Sequence, residues 1–203
     1  MPAHAPIRLV VGLGNPGREH VATRHNAGFW YADRLAEKLG ARFAHEGRFA
    51  GEIARAGDIR IAKPMTYMNL SGRSVAAIAR FFGYLPDEML VVHDELDLKP
   101  GEAKLKLGGG HAGHNGLRDI QAQLGEGTFW RLRLGIGHPR DSELAQQPVA
   151  DYVLRPPQGD DARAIDDAIS RGLDAWADLA RGEMERAMQA LHTRASDTTK
   201  AKP

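Results

Sequence analysis

Apolar positions along this chain follow two rhythms. Short continuous runs closed by glycine or charge suit strands buried on both faces: "IRLVVGL" from Ile7 to Leu13, "EMLVVHDEL", and "FWRLRLGIG". Between them the spacing turns helical. Phe29, Trp30, Leu35, Ala36 and Leu39 predict a helix that starts near Asn26, a candidate N-cap, and stops at Gly40. A second amphipathic stretch follows "TYMNLSG" through Val75, Ile78, Ala79 and Phe82, ending near Gly83. "LRDIQAQL" predicts a short helix fed by the glycine-rich loop "LGGGHAGHNG". From about Asp160 to Leu191 the helical spacing resumes through Ile165, Ile169, Leu173, Trp176 and Leu179, with Gly172 and Gly182 as candidate breaks. Alternation marks a hairpin between Phe43 and Lys63, "FAGEIARA" then "IRIAKP", and an edge strand at "GEAKLKL".

Interleaved strands and helices with no internal repeat predict an α/β fold. We expect a single domain over residues 1–192, with a twisted, mixed, largely parallel sheet flanked by helices. The polar stretch "TRASDTTKAKP", residues 193–203, reads as a disordered tail. Composition narrows the chemistry. With no cysteine there are no disulfides, thiolate nucleophiles or Cys-ligated zinc, which fits a reducing, cytoplasmic setting. No apolar run approaches the ~20 residues of a membrane span. The run in "MPAHAPIRLVV" is too short for a signal peptide.

The stretch "GLGNPGREHVATRHNAGF", Gly12 to Phe29, satisfies G-x-G-x-x-G. A dinucleotide loop needs its third glycine in the first turn of a helix, and an acid about 20 residues on at the end of a second strand. Gly17 is followed instead by the polar "REHVATRH", and Asp33 falls inside the helical pattern. The useful atoms are therefore sought in the polar side chains. Asn15 lies just past the first strand, and Asp94 ends "LVVHD". If those strands run parallel in one sheet, both residues reach the carboxyl edge, where α/β proteins bind ligands. His25, just before a helix, can reach the same edge. A carboxylate on one imidazole nitrogen fixes the tautomer and leaves the other as a base. With no cysteine and no G-x-S-x-G elbow, that base would most simply activate water, and Asn15 or Asn69 would supply an amide donor to the oxyanion. Taken singly, each residue also fits a turn or a cap.

The ordered motifs "GLGNPG…TRHNAGF", "KPMTYMNLSG", "VVHDELDLKPG", "KLKLGGGHAGHNGL" and "FWRLRLGIGHP" resemble those of the bacterial-type peptidyl-tRNA hydrolases, from Gly12 to Pro139. The resemblance implies a monomeric enzyme of translation that hydrolyses the ester between a peptide's C-terminus and the 3′-terminal ribose of tRNA. It implies His25 as general base, Asp94 as its orienting carboxylate, and Asn15, Met68 and Asn69 around the peptide and the reacting ester. Asn115 is similar to a position that places substrate or water. Lys106 and Arg133 resemble a pair that clamps a tRNA phosphate. His20 stands where the family usually has tyrosine. The implied partner is peptidyl-tRNA alone, held by its phosphate backbone and 3′ end, with no cofactor, metal, membrane or obligate protein partner.

Charge agrees with a tRNA partner. The whole chain carries only +1, but Lys99, Lys104, Lys106, Arg118, Arg131, Arg133 and Arg140 face only Glu102, Asp119 and Glu126 between Lys99 and Arg140. Two other readings stay open at this point. His93, Asp94, His111 and His114 admit a metal-dependent hydrolase. A non-catalytic RNA-binding module with structural histidines would carry the same basic stretch.

Overall fold

The structure is a computed structural model, and it describes residues 4–193. The expected tail therefore lies, apart from Thr193, outside the described residues. Among the described residues the strands form one seven-stranded sheet. In chain order the elements are β1 (Leu9–Gly12), α1 (Ala27–Lys38), β2 (Phe43–Glu46), β3 (Gly51–Ala56), β4 (Ile59–Pro64), α2 (Ser71–Phe82) and β5 (Met89–Glu95), followed by β6 (Ala103–Leu107), α3 (Asn115–Leu124), β7 (Trp130–Gly135), α4 (Val149–Val153), α5 (Gly159–Asp174), α6 (Trp176–Leu179) and α7 (Met184–His192). The strand order is β2-β3-β4-β1-β5-β7-β6. The central four, β4, β1, β5 and β7, run parallel. The hairpin strand β3 and the edge strands β2 and β6 run antiparallel to their neighbours. This is the expected mixed, largely parallel α/β sheet.

The two faces follow from alternation along the central strands. Val10, Leu90, Val92, Leu132 and Leu134 point into one core, shared with α1, α5, α6 and α7. Leu9, Val11, Met89 and Val91 point into the other, with residues of α2 and α3. Both faces of the central strands are buried, so these strands read as continuous apolar runs in the sequence.

Three sequence readings need correction. The stretch from Phe43 to Lys63 holds three strands rather than a hairpin. "FAHE" pairs with β3 as an outer strand, and its half-exposed burial pattern hides it from an apolar count. The C-terminal helical stretch is three helices. Gly182 breaks it with φ 76°, whereas Gly172 stays within α5, where a Cβ would lie only 3.0 Å from Leu132 and Tyr31. The candidate caps also differ. Asn26 occupies the N-cap position of α1 without a capping bond, and the N-cap position of α2 is Leu70, with Asn69 inside a preceding 3-10 turn.

The tightest packing lies where α1 crosses the sheet. A Cβ on Gly28 would sit 2.3 Å from the Val92 carbonyl and 2.5 Å from the Leu13 amide nitrogen. A Cβ on Gly12 would sit 2.3 Å from the Gly28 carbonyl. The motif glycines thus bring a helix start against two strand ends. The phosphate-loop pattern fails as expected: Gly17 has φ 105° and leads into a 3-10 turn, Arg18–His20.

Candidate active site

β1 and β5 are paired in parallel with Gly12 opposite Val92, so their carboxyl ends finish side by side. Asp94 comes two residues after Val92, and Asn15 follows β1. The packing of α1 on the same edge delivers His25 from the turn before it. Arg24 fixes that turn: its buried guanidinium donates to the carbonyls of Tyr152 and Arg155, and stacks 4.1 Å from the Tyr152 ring centroid.

His25 and Asp94, far apart in sequence, meet at 2.9 Å through Nδ1 and Oδ2. Asp94 is buried. A buried carboxylate is stable as an anion only when bonded on its remaining lone pairs. Its other oxygen, Oδ1, is 2.9 Å from Nε2 of His114. His114 is the N-cap of α3, and its Nδ1 accepts from the Gly116 and Leu117 amides. That acceptor role puts the proton on Nε2, so His114 donates to Asp94 as a neutral ring. Burial works against ionising Asp94, but the two imidazoles outweigh it and hold its pKa well below the ordinary carboxylate range. On His25, burial opposes the charged ring, yet the charge of Asp94 and its hydrogen bond prevail and raise the pKa. With Nδ1–H donated to Asp94, Nε2 of His25 keeps its lone pair, and no hydrogen bond to it occurs among the described residues.

Asn15 is oriented just as firmly. Its backbone exchanges two 2.9 Å bonds with the side chain of Asn26, which explains why Asn26 does not cap α1. Its Oδ1 accepts from the Met68 amide at 2.7 Å. The Asn15 NH2 group is therefore the free end, a donor at the edge of a pocket of about 390 Å³ that His20, His25, Met68, Asn69 and Asn115 also line. Asn115 sits there because α3 begins against Met68: a Cβ on Gly116 would lie 2.6 Å from the Met68 sulfur. Its Oδ1 accepts from Arg118 at 2.8 Å. A second pocket, about 160 Å³, is lined by His25 together with Asp94, Glu95, His111 and the α4 residues Ala150 and Val153. His25, Asn115, Ala150 and Val153 border both.

The two cationic residues lie elsewhere. Lys104 is opposite Arg133 and Lys106 opposite Arg131 in the β6–β7 ladder, so all four cations share one face. Lys106 is exposed. Arg133 donates from Nε to Glu95 at 3.0 Å. Arg131, counted in the basic stretch, does not present its charge at the surface. It is buried and donates to the carbonyls of Gly109 and Gly110, pinning the glycine-rich loop.

The four residues of the metal reading do not converge. His93 is buried, with Nδ1 on the Asp94 backbone carbonyl, and burial with the neighbouring His114 pushes its pKa down to about 3. His111 uses Nδ1 to accept from Gly113. The set whose donor atoms lie within 4.8 Å is His25, Asp94 and His114. Nδ1 of His25 and Nε2 of His114 are already hydrogen-bonded to the Asp94 oxygens, and ligation through Nε2 of His114 requires the tautomer that breaks the α3 cap. The donor set fits a proton relay better than a cation.

Sequence reasoning missed His114 as a partner of Asp94, Arg24 as the tether of the His25 turn, and α4 as a wall of both pockets. The signal for His114 was present: a polar residue directly before an amphipathic run reads as an N-cap, and an imidazole can serve as one.

Comparison with known proteins gives the family. The family model described as peptidyl-tRNA hydrolase matches residues 9–200. A peptidyl-tRNA hydrolase of Bordetella avium is 57% identical over 192 residues, covering 93% of this chain and 92% of that protein. One from Neisseria gonorrhoeae is 53% identical over 192 residues, covering 93% and 98%. The crystal structure of the peptidyl-tRNA hydrolase of Acinetobacter baumannii superposes with a TM-score of 0.86 at 43% identity, over 92% of this chain and 95% of that one. The chain belongs to the peptidyl-tRNA hydrolase family.

Proposed function

We propose that this chain hydrolyses the ester linking a peptide's C-terminus to the 3′-terminal ribose of tRNA, releasing peptide and free tRNA. The observation that carries the reading is the His25–Asp94 contact at 2.9 Å, which leaves Nε2 free of hydrogen bonds on a residue that borders two pockets. An ester has two halves, and a base that borders two cavities can serve the bond that joins them. Nε2 of His25 takes a proton from water. The resulting hydroxide attacks the ester carbonyl, and Asp94 stabilises the imidazolium formed. The Asn15 NH2 group, locked by Met68, donates to the developing oxyanion or the last peptide carbonyl. The imidazolium then returns its proton to the departing ribose oxygen.

Asn69, Asn115, Met68 and His20 line the pocket we assign to the peptide. Side-chain amides there pair with a peptide amide, which a free α-ammonium cannot replace, and this selects peptidyl-tRNA over aminoacyl-tRNA. Lys106 and Arg133 take a backbone phosphate. The chain works without a metal, as a monomer, in the cytoplasm; among the described residues no helix is long and apolar enough to cross a membrane.

The test is hydrolysis of an N-acetyl-aminoacyl-tRNA, with the unblocked aminoacyl-tRNA beside it, in excess chelator. We expect the blocked substrate to be cleaved and the unblocked one spared. His25→Ala should lose roughly 10²- to 10⁴-fold in kcat, the usual range for a general base, while still binding tRNA. Near-normal turnover by His25→Ala would reject the base, and loss of activity in chelator would revive a metal mechanism. Failure to release any blocked amino acid would leave an RNA-binding module.

A further inference from the structure

Glu95 follows Asp94 on β5, yet neither the proton relay nor the phosphate clamp described above uses it. Its side chain is nearly buried, 11% exposed, and both oxygens are committed. Oε1 accepts from the Asp97 amide at 3.2 Å, and Oε2 accepts from Nε of Arg133 at 3.0 Å. The terminal nitrogens of Arg133 make no hydrogen bond among the described residues. A guanidinium held by its Nε edge presents its two terminal nitrogens as a fork, the geometry that binds phosphate in a bidentate fashion. Across the ladder stand Lys104 and, diagonally, Lys106. Glu95 also borders the smaller pocket beside His25.

From this geometry we infer that Glu95 is a positioning residue for tRNA: it aims the Arg133 fork at a backbone phosphate and ties that contact to the strand carrying Asp94. The inference rests on the phosphate role of Arg133. Left unbuttressed beside like charges, Arg133 would swing into solvent, and each phosphate contact would require ordering a free side chain. Glu95 thus lowers the entropic penalty of docking rather than the chemical barrier. It acts on KM, and it acts through Arg133.

A double-mutant cycle on two substrates tests this. One substrate is N-acetyl-aminoacyl-tRNA; the other is an N-acetyl-aminoacyl nucleoside ester that lacks the tRNA body. Glu95→Ala should raise KM for the tRNA substrate by about 5- to 10-fold, the equivalent of losing one organised contact, with a smaller change in kcat. The penalty should be clearly greater on the tRNA substrate than on the minimal ester. Glu95→Gln keeps an acceptor without the charge and should fall between wild type and Glu95→Ala. In an Arg133→Ala background, Glu95→Ala should add little. Equal losses on both substrates, an undiminished effect without Arg133, or an unchanged KM while Arg133→Ala raises it would each overturn the inference. If Arg133→Ala alone leaves the KM for tRNA unaltered, the clamp itself is misassigned, an outcome that singles out the underlying reading.

Discussion

At the scale of single residues, the site depends on which atoms carry protons. Asp94 holds two imidazoles, and each ring's far nitrogen decides what that ring can do. His114 spends Nδ1 on the α3 amides, so it serves as a neutral donor. His25 has no such commitment, so it alone has a lone pair to offer. The distinction predicts the behaviour of His114→Phe, which keeps a ring but loses the bond to Asp94 and the two from the α3 amides. A lost hydrogen bond to a charged group is worth about 1.5–3 kcal/mol. kcat should therefore fall by roughly tenfold or more, at 1.4 kcal/mol per decade. With one donor gone, Asp94 should pull harder on His25 and raise its pKa further, moving the acid limb of the pH–rate profile to higher pH. A profile at the wild-type position, measured on N-acetyl-aminoacyl-tRNA, would show that the two rings do not share the carboxylate. The residue types at this site were legible in the sequence, because Asn15, His25 and Asp94 sit at junctions between elements. The hydrogen-bond direction was not, because it depends on amides two and three positions beyond His114 and on the register between β1 and β5.

At the scale of elements, the long strands and the amphipathic helices announced themselves, since a buried strand leaves a run of apolar letters and a two-faced helix leaves a period. β2 and α4 did not. β2 is short and half-exposed at the sheet edge, and α4 is five residues of mixed polarity whose meaning lies in what it walls. Glycine told more than its motif suggested. Gly12 and Gly28 do not cradle a phosphate; they let α1 lie against β1 and β5 so that the preceding turn delivers His25. Gly28→Ala places a methyl group against backbone that has nowhere to go. Overpacking of this kind usually destabilises by about 1–3 kcal/mol. The urea midpoint should drop accordingly, and the surviving folded enzyme should turn over more slowly because α1 and His25 move together. Wild-type stability and rate in this variant would show that the close approach of α1 is not what sets the geometry.

At the scale of the whole molecule, a chain of net charge +1 gathers Lys104, Lys106, Arg131 and Arg133 on one face of an edge ladder. Of these, Arg131 is occupied internally by the glycine-rich loop, and Arg133 shares its charge with Glu95. Few cations remain for tRNA. If about two phosphates are contacted, kcat/KM on the tRNA substrate should fall with log salt at a slope near −2, far below that of a dedicated nucleic-acid binder. A much steeper slope would mean a second basic surface takes part. The sequence showed this basic stretch but not its division of labour, which depends on which side chains the sheet buries.

Catalysis turns on the partnership of His25 with Asp94, and the sharpest test is the pH dependence of kcat/KM on N-acetyl-aminoacyl-tRNA in Asp94→Asn. In the wild type the Asp94 charge and bond raise the His25 pKa against burial, so activity falls as pH drops through that raised value. Without the carboxylate only burial remains, the pKa falls, and His25 stays unprotonated to lower pH. The acid limb should move to lower pH, together with a markedly lower plateau. An acid limb at the wild-type position, with the plateau intact, would contradict that partnership.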